Sequence, residues 1–263
     1  MKEIINGLAV FSEGSNSNKS IIFIHGFPYD HTMWNLQIEA LKEKYFCVSY
    51  DIRGLGESPA GDGQFTMEAF VDDLDVIINH LKLDKPVLCG LSMGGYITLR
   101  ALERMQDKFS AAILCDTRSE ADSNEGKLKR AAGIKRINTE GLAPFAKDFI
   151  TNCFAEDFRQ NKKDELERII NKSSEFNPVG VKGCLLAMLS RTDTTQNLSQ
   201  IKIPTLLICG EKDALTPPSV MKEMFHKIPN AEFVEIKNAG HMTPIENPDE
   251  VNKAIINFLN KLN

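Results

Sequence analysis

Short apolar runs alternate along this chain with longer segments whose apolar side chains recur every three or four positions. Short runs bounded by turn residues are typical of buried strands, and the longer period is typical of helices that bury one face. The pattern therefore predicts strands at 4–11, 20–25, 46–51, 86–91, 111–116, 204–210 and 231–237, and helices at 33–43, 67–81, 94–105, 219–226 and 248–262.

This alternation indicates an α/β fold. From the second run onward, strand and helix follow each other as in a mostly parallel sheet with helices on both faces. The polar segment 12–18 separates the first two runs and predicts that the first strand hairpins into the second. We therefore expect an antiparallel N-terminal edge on an otherwise parallel sheet.

Segment 118–200 breaks the alternation, because it has helical periodicity but no clear strand. A connection of this length is far longer than a crossover between neighbouring strands needs. We therefore expect a core of 1–117 and 201–263 with a helical insertion at 118–200. A minority of the insertion's large apolar side chains is expected to line a pocket, the rest packing the insertion itself: Leu142, Phe145, Phe149, Phe154, Leu185, Met188 and Leu189.

A serine stands at a predicted strand-to-helix turn, in Gly90-Leu91-Ser92-Met93-Gly94. Side chains at the two glycines would clash in so tight a turn. The turn would expose the Ser92 hydroxyl and leave the N–H of Met93 at a helix N-terminus, where it can stabilise an oxyanion. The alternative is an ordinary glycine–serine turn.

A serine hydroxyl becomes a good nucleophile only beside a base that an acid orients. His241 lies just beyond the strand predicted at 231–237, and Asp213 just beyond that at 204–210. Because the carboxyl ends of parallel strands meet at one edge of a sheet, Ser92, Asp213 and His241 are expected to converge.

Two other carboxylates compete with Asp213 for the role of the acid. Glu211 follows the same strand, and Asp116 ends the preceding one. Asp213 could also serve only as a cap near a helix that starts at Pro217 and Pro218.

The order serine, acid, histidine at these strand ends resembles the α/β-hydrolase family, over nearly the whole chain. His25-Gly26-Phe27-Pro28 resembles the family's oxyanion loop, and the segment from Asp51 to Ser58 resembles its D-x-R-G-x-G-x-S turn. The resemblance implies that 118–200 is a helical cap over the active site. It also implies the site residues: Ser92 as nucleophile, His241 as base, Asp213 as acid, and the N–H groups of Phe27 and Met93 as oxyanion hole.

The expected activity is hydrolysis of a carboxylic ester of a small molecule through an acyl-enzyme intermediate. The motifs are similar to those of small carboxylesterases and 3-oxoadipate enol-lactonases, so enol-lactone hydrolysis and cofactor-free perhydrolysis stand as alternatives. A serine nucleophile disfavours haloalkane dehalogenase and epoxide hydrolase chemistry. An alternative of a different class is a ligand-binding protein that keeps the fold without turnover.

Cations near the predicted site suggest how a substrate could be held. Arg118 follows the strand at 111–116 and could pair with a substrate carboxylate or form a salt bridge within the insertion. Five cations between 127 and 136 predict a solvated helix face, with attraction of an acidic substrate as the alternative: Lys127, Lys129, Arg130, Lys135 and Arg136.

Composition narrows the range of expected partners and cellular settings. The net charge of −5 disfavours a nucleic acid, because phosphate binding needs clustered cations. Six cysteines without a close pair predict reduced core thiols and a cytoplasmic setting, and no apolar block is long enough for a signal peptide or a membrane span.

We expect neither cofactor nor metal. Gly54-Leu55-Gly56 lacks the third glycine of a dinucleotide fingerprint. His25 and His31 lack neighbouring ligand residues of other types, and His25 is expected to support its own loop by hydrogen bonding.

Overall fold

The structure, a computed structural model, describes residues 1–262. Eight strands form one sheet in the order β1-β2-β4-β3-β5-β6-β7-β8. In chain order they are β1 Lys2–Ile5, β2 Leu8–Glu13, β3 Ser20–Ile24, β4 Phe46–Tyr50, β5 Val87–Leu91, β6 Ala111–Cys115, β7 Thr205–Gly210 and β8 Ala231–Ile236.

The sheet is parallel from β4 to β8, which confirms the predicted fold class. Every residue of β3, β5, β6 and β7 is buried, as expected for parallel strands covered on both faces. The carboxyl ends of these strands therefore form one edge, and the loops that follow them carry the candidate residues.

The N-terminal edge is antiparallel, as predicted, but it is built differently. The run at 4–11 is two strands, β1 and β2, joined at Asn6 and Gly7, whose φ angles are 51° and 83°. An Asn-Gly pair favours the tight hairpin turn in which both central residues have positive φ. The hairpin predicted between the first two runs is wrong, because β2 pairs with β4 and not with β3.

Helices of the core cover both faces of the sheet. Alternate residues of β3 belong to two apolar clusters, Ile22 and Ile24 to one and Ile21 and Phe23 to the other. The predicted helices are confirmed with shifted ends: α1 Asn35–Leu41, α2 Met67–His80, α3 Met93–Met105, α9 Pro218–Lys227 and α11 Pro248–Asn260, with the short α10 Thr243–Glu246 before the last. The cluster with Ile22 and Ile24 includes side chains of α2, α3 and α9, and the cluster with Ile21 and Phe23 includes those of α1 and α11.

Five α-helices lie between β6 and β7, and no strand occurs among the described residues of this segment. They are α4 Asn124–Glu140, α5 Leu142–Cys153, α6 Glu156–Asn161, α7 Lys163–Ser174 and α8 Pro178–Leu189.

The segment 118–200 packs against loops at the carboxyl edge of the sheet. The Ser173 hydroxyl donates to the Pro28 carbonyl at 2.8 Å, and Lys172 pairs with Asp30 at 2.6 Å. Gly180 of α8 crosses the loop after β4 so closely that a Cβ there would lie 1.9 Å from the Gly54 carbonyl oxygen.

All six cysteines are buried and free, as predicted for core thiols. Among the helices described here, none is both long enough and apolar enough to cross a bilayer.

Candidate active site

Ser92 occupies a strained turn between two regular elements. β5 ends at Leu91 and α3 begins at Met93, and Ser92 between them has φ 53° and ψ −110°. Such a conformation costs a non-glycine residue roughly 1–3 kcal/mol, so the surroundings must hold it. They do, because the Ser92 N–H donates to the Cys115 carbonyl at 2.9 Å and the Thr117 hydroxyl donates to the Ser92 carbonyl at 2.8 Å.

The two glycines of the turn are required by close backbone contacts. A Cβ on Gly90 would lie 2.3 Å from the Gly94 carbonyl oxygen, and one on Gly94 would lie 2.1 Å from the Ile24 carbonyl oxygen. These distances are far below van der Waals contact, so any side chain would displace the backbone that holds Ser92. The clash expected at both glycines is confirmed.

The loop after β3 lies directly against Ser92. A Cβ on Gly26 would come 3.5 Å from the Ser92 Cβ, which brings Phe27 next to the serine. His25 supports this loop, since its Nδ1 donates to the Gly26 carbonyl at 2.8 Å and its Nε2 accepts from the Ile52 N–H at 3.0 Å. Burial lowers the pKa of His25, which favours the neutral ring that these two bonds need.

His241 and Asp213 meet through a hydrogen bond of 2.9 Å between Nδ1 and Oδ2. Thr216 joins them, because its hydroxyl donates to Asp213 Oδ2 at 2.6 Å and lies 3.2 Å from His241 Nδ1. The N–H groups of Leu215 and Thr216 donate to Asp213 Oδ1 at 2.8 and 2.9 Å. We call Asp213, Thr216 and His241 the histidine side of the site.

The Asp213 carboxylate stays ionised although it is buried. Burial alone would raise its pKa, but the adjacent His241 and the donors of Thr216 outweigh burial and lower the pKa of Asp213 from 3.8 to about 2. An ionised Asp213 fixes the proton of His241 on Nδ1, leaving Nε2 free to accept one.

The competing carboxylates have other partners. Asp116 accepts from the Gly210 N–H at 2.8 Å and from the Thr243 hydroxyl, and burial together with the charge of Asp213 raises the pKa of Asp116 well above its usual value. Glu211 is exposed and pairs with Lys237 at 3.0 Å. Of the three carboxylates, Asp213 is the one that hydrogen-bonds to the His241 ring.

Ser92 and His241 line one cavity of about 140 Å³. The insertion contributes Phe149, Met188 and Arg130 to its wall. The rings of Phe27 and Phe149 meet edge to face with centroids 5.3 Å apart, which joins the loop after β3 to the insertion. Of the seven apolar insertion residues named from the sequence, Phe149 and Met188 line this cavity, so a minority does so, as expected.

Charged groups gather at another part of the cavity. We call them the arginine side and define it as Arg118, Asp122 and Arg130, which line the wall, together with the buried Arg191, which contacts Asp122. Arg130 pairs with Asp122 at 3.0 Å through Nε, and Arg191 pairs with Asp122 at 2.7 Å. The Arg191 guanidinium also lies over the Tyr96 ring, 4.2 Å from its centroid.

Arg118 donates to the Leu215 carbonyl at 2.9 Å and, within residues 1–262, forms no ion pair. The salt bridge considered for it within the insertion is therefore not formed. Arg118, Asp122 and Arg130 all line the cavity with Ser92.

The basic stretch of α4 divides into two parts. Lys127, Lys129 and Lys135 are exposed, as predicted for a solvated face, and Arg136 pairs with Glu140 at 2.9 Å. Arg130 instead turns to the cavity. Sequence reasoning did not single out Tyr96, Asp122 or Thr216, whose places depend on how the insertion and the loop after β7 pack.

Within residues 1–262, two groups of side chains have the composition of metal ligands. Asp30, His31 and Asp51 form one, which corrects the expectation that His31 lies apart from other ligand types. Asp51 already accepts from the His31 Nδ1 at 2.7 Å and from the Glu57 N–H at 2.8 Å. The other group, Asp116, Cys209 and Asp213, contains the carboxylates described above, whose oxygens are likewise taken by donors of the chain.

A family model for the alpha/beta hydrolase fold matches residues 19–248. The chain belongs to this family. The structure of a thermophilic esterase from Thermogutta terrifontis, in its malate-bound form, superposes with a TM-score of 0.94 at 35% identity, covering 100% of this chain and 99% of that one.

Enol-lactonases are also similar to this alpha/beta hydrolase. The crystal structure of one from Burkholderia xenovorans superposes with a TM-score of 0.90 at 27% identity and covers 99% of this chain and 100% of that one. The 3-oxoadipate enol-lactonase 2 of Acinetobacter baylyi is 25% identical over 250 residues, which are 95% of this chain and 92% of the relative.

Proposed function

We propose that the protein hydrolyses carboxylic esters by acyl transfer, with Ser92 as nucleophile, His241 as general base and Asp213 as the acid that orients it. The observation that carries the proposal is the hydrogen-bonded Asp213–His241 pair on the same cavity as a serine held in a strained strand-to-helix turn. A strained residue at a cavity that also holds an oriented imidazole is a frequent mark of a nucleophile.

The proposed reaction has two halves. His241 Nε2 takes the Ser92 proton as Oγ attacks the ester carbonyl carbon, and the alcohol then leaves with that proton. Water, deprotonated by His241, next attacks the acyl-enzyme and releases the carboxylic acid and Ser92. The N–H groups of Phe27 and Met93 are proposed to bind the oxyanion of both tetrahedral intermediates. In such sites each donor lowers the barrier by about 3–4 kcal/mol.

The size of the cavity favours short acyl groups. Its volume of about 140 Å³ lies below the roughly 300–1,000 Å³ of pockets that take drug-sized ligands. The similar proteins described above are an esterase and enol-lactonases, and both activities break an ester bond. We therefore propose small esters as the substrate class.

We also propose that 118–200 is a cap on a core formed by 1–117 and 201–263. Support comes from Arg130, Phe149 and Met188, which the insertion contributes to the cavity that holds Ser92. On this proposal the core supplies the chemistry, and the cap shapes the entrance.

A second candidate is hydrolysis of an ester or enol-lactone that itself carries a carboxylate. Arg118 has guanidinium N–H groups beyond the one that binds the Leu215 carbonyl, and it shares the cavity wall with Arg130. An arginine binds a carboxylate through paired, charge-assisted hydrogen bonds. The esterase structure of highest similarity quoted above contains malate, a dicarboxylate, which agrees with this candidate.

A serine-reactive fluorophosphonate tests the nucleophile directly. Wild-type protein is expected to form a covalent adduct on Ser92, and Ser92→Ala is expected to form none. Ser110→Ala, a change of an exposed serine, is the matched control and should label like wild type. Absence of labelling in the wild type would overturn the enzymatic proposal and favour a ligand-binding protein of this fold.

A panel of substrates then separates the two candidates. p-Nitrophenyl esters of graded acyl length, each with and without a terminal carboxylate, are compared with enol-lactones of the same acids. Preference for short neutral esters supports the first candidate, and a higher kcat/KM for the carboxylated members supports the second.

A further inference from the structure

One carboxylate holds the loop that carries His241. Glu246, the last residue of α10, accepts through Oε1 from the N–H of Gly240 at 2.9 Å and from the N–H of Met242 at 3.1 Å. These are the two amides that flank His241 in the chain. The position of the histidine backbone is therefore set from both sides by a single oxygen.

The other oxygen of the same carboxylate binds the insertion. Oε2 accepts from the N–H of Ala155, in the junction between α5 and α6, at 2.8 Å. The His241 N–H in turn donates to the Cys153 carbonyl at 2.8 Å. A Cβ on Gly240 would lie 2.6 Å from the Ala155 nitrogen, so the two backbones are in direct contact.

Glu246 is half-buried and, among residues 1–262, forms no ion pair with a lysine or arginine. Burial raises its pKa, while the N–H groups of Ala155, Gly240 and Met242 act in the opposite direction. Removing an acceptor from such a site leaves buried N–H groups unpaired, which is more costly than losing an exposed hydrogen bond. The carboxylate therefore fixes the relative position of three backbone segments.

We propose that Glu246 is a positioning residue for His241 and couples the placement of the insertion to the placement of the imidazole. The inference rests on the proposed function, because it assigns a partner to the proposed base. Its physical basis is that a proton acceptor displaced by about 1 Å from its working position can lose on the order of 10²-fold in rate.

Two variants separate the hydrogen bonds that Glu246 makes to the loop of His241 from the one that it makes to the insertion. In Glu246→Gln the amide oxygen still accepts from Gly240 and Met242, whereas the amide NH₂ faces the Ala155 N–H and cannot accept from it. Glu246→Ala removes all three hydrogen bonds. The matched control is Glu250→Gln, the same chemical change on an exposed side chain in the first turn of α11.

The experiment measures fluorophosphonate labelling rate and steady-state hydrolysis of p-nitrophenyl acetate, each normalised to folded protein by circular dichroism. It also measures the low-field proton resonance of the His241 Nδ1–H bonded to Asp213. For Glu246→Ala we expect labelling rate and kcat to fall on the order of 10²-fold with KM little changed, and the resonance to broaden or vanish. Glu246→Gln is expected to fall between wild type and Glu246→Ala, and Glu250→Gln to match wild type.

A purely structural role for Glu246 predicts a different result. The thermal midpoint would then fall, while labelling rate per folded molecule, kcat and the imidazole resonance would match wild type, and this would overturn the proposal. If Glu246→Ala does not fold, Glu246→Gln decides by the same readouts. Wild-type protein that fails to label contradicts the proposed function instead, so the two failures are distinguishable.

Discussion

The histidine side and the arginine side of one cavity are held in different ways. On the histidine side Asp213 is 3% exposed, and both of its oxygens are bound by donors of its own loop or by His241. On the arginine side Arg118 is half-buried and donates to one carbonyl, that of Leu215. Groups that must move a proton need fixed geometry, whereas groups that bind a ligand need donors still available to it.

The two sides also differ in charge. On the histidine side the charge of Asp213 is engaged within the site, because its oxygens accept from its own loop and from His241. On the arginine side Asp122 faces both Arg130 and Arg191, whose charges outweigh burial and lower the pKa of Asp122. On the cavity wall itself, Arg118 and Arg130 accompany the single carboxylate of Asp122, and the excess positive charge favours an anionic group of a ligand.

Removing the proposed nucleophile, Ser92, should have the largest effect on activity. Ser92→Ala is expected to lower kcat for p-nitrophenyl acetate by roughly 10⁶-fold, because neither side of the cavity can supply another nucleophile. Steady-state assays on wild type, Ser92→Ala and the control Ser110→Ala measure it. Hydrolysis by Ser92→Ala within tenfold of wild type would show that the histidine side acts on some other group.

The histidine side can be tested selectively through Asp213, the proposed acid. Asp213→Asn is expected to lower kcat by roughly 10⁴-fold, because the amide no longer fixes the proton of His241 on Nδ1. Asp116→Asn is the matched control. Asp116 does not hydrogen-bond to His241, and the amide oxygen of an asparagine can still accept from the Gly210 N–H, so the loss should be small. Equal losses of kcat in the two variants would contradict the assignment of Asp213, and not Asp116, as the acid.

Substitutions on the arginine side should weaken the binding of a carboxylated substrate and leave the catalytic step unchanged. Arg118→Ala and Arg130→Ala are each expected to raise KM for a carboxylated ester roughly 10–100-fold, since a hydrogen bond to a charged group contributes about 1.5–3 kcal/mol. KM for the neutral ester of the same length should stay unchanged. Lys129→Ala, on the exposed face of α4, controls for loss of positive charge. An unchanged KM for the carboxylated ester in both arginine variants would remove the second candidate function.

The smallest expected effect is on stability in acid. The folded pKa of Asp213 is about 2 against 3.8 for the free side chain, so its ionised form contributes on the order of 2 kcal/mol to the free energy of unfolding. Because the folded pKa is the lower one, this contribution is complete above pH 3.8 and is lost as the pH falls through 2. Urea unfolding of wild type and Asp213→Asn over this range should show the difference between them shrinking. A difference independent of pH would contradict the lowered pKa.

Two members of the histidine side, Asp213 and His241, were predictable because each closely follows a strand of the parallel sheet. Strand runs can be recognised locally, and parallel strands bring their carboxyl ends to one edge, so Asp213 and His241 were expected together. Thr216 was not, because its hydroxyl reaches Asp213 only through the turn that Asp213 itself caps.

The arginine side shows a feature that the local sequence pattern does not predict, namely which cation of α4 faces the cavity. Five cations of α4 fall within ten residues, and the periodicity does not distinguish Arg130, which turns to the cavity, from its exposed neighbours. That choice depends on Asp122 and Arg191, which come from opposite ends of the insertion and meet by tertiary packing.

Glu246 and the first hairpin both have local signals in the sequence. A glutamate five positions after Gly240-His241 lies within reach of the amides of that loop, and Asn6-Gly7 is a strong hairpin signal inside an apolar run.

The crossing of Gly180 over Gly54 bears on how such a protein could be redesigned. Replacing the five helices with those of another hydrolase would transfer a complete set of entrance residues. If the replacement had any side chain at the position of Gly180, however, that side chain would clash with the loop after β4. The new helices could then not pack against this loop. Recombination between relatives should therefore succeed most often where both parents lack a side chain at this pair of positions.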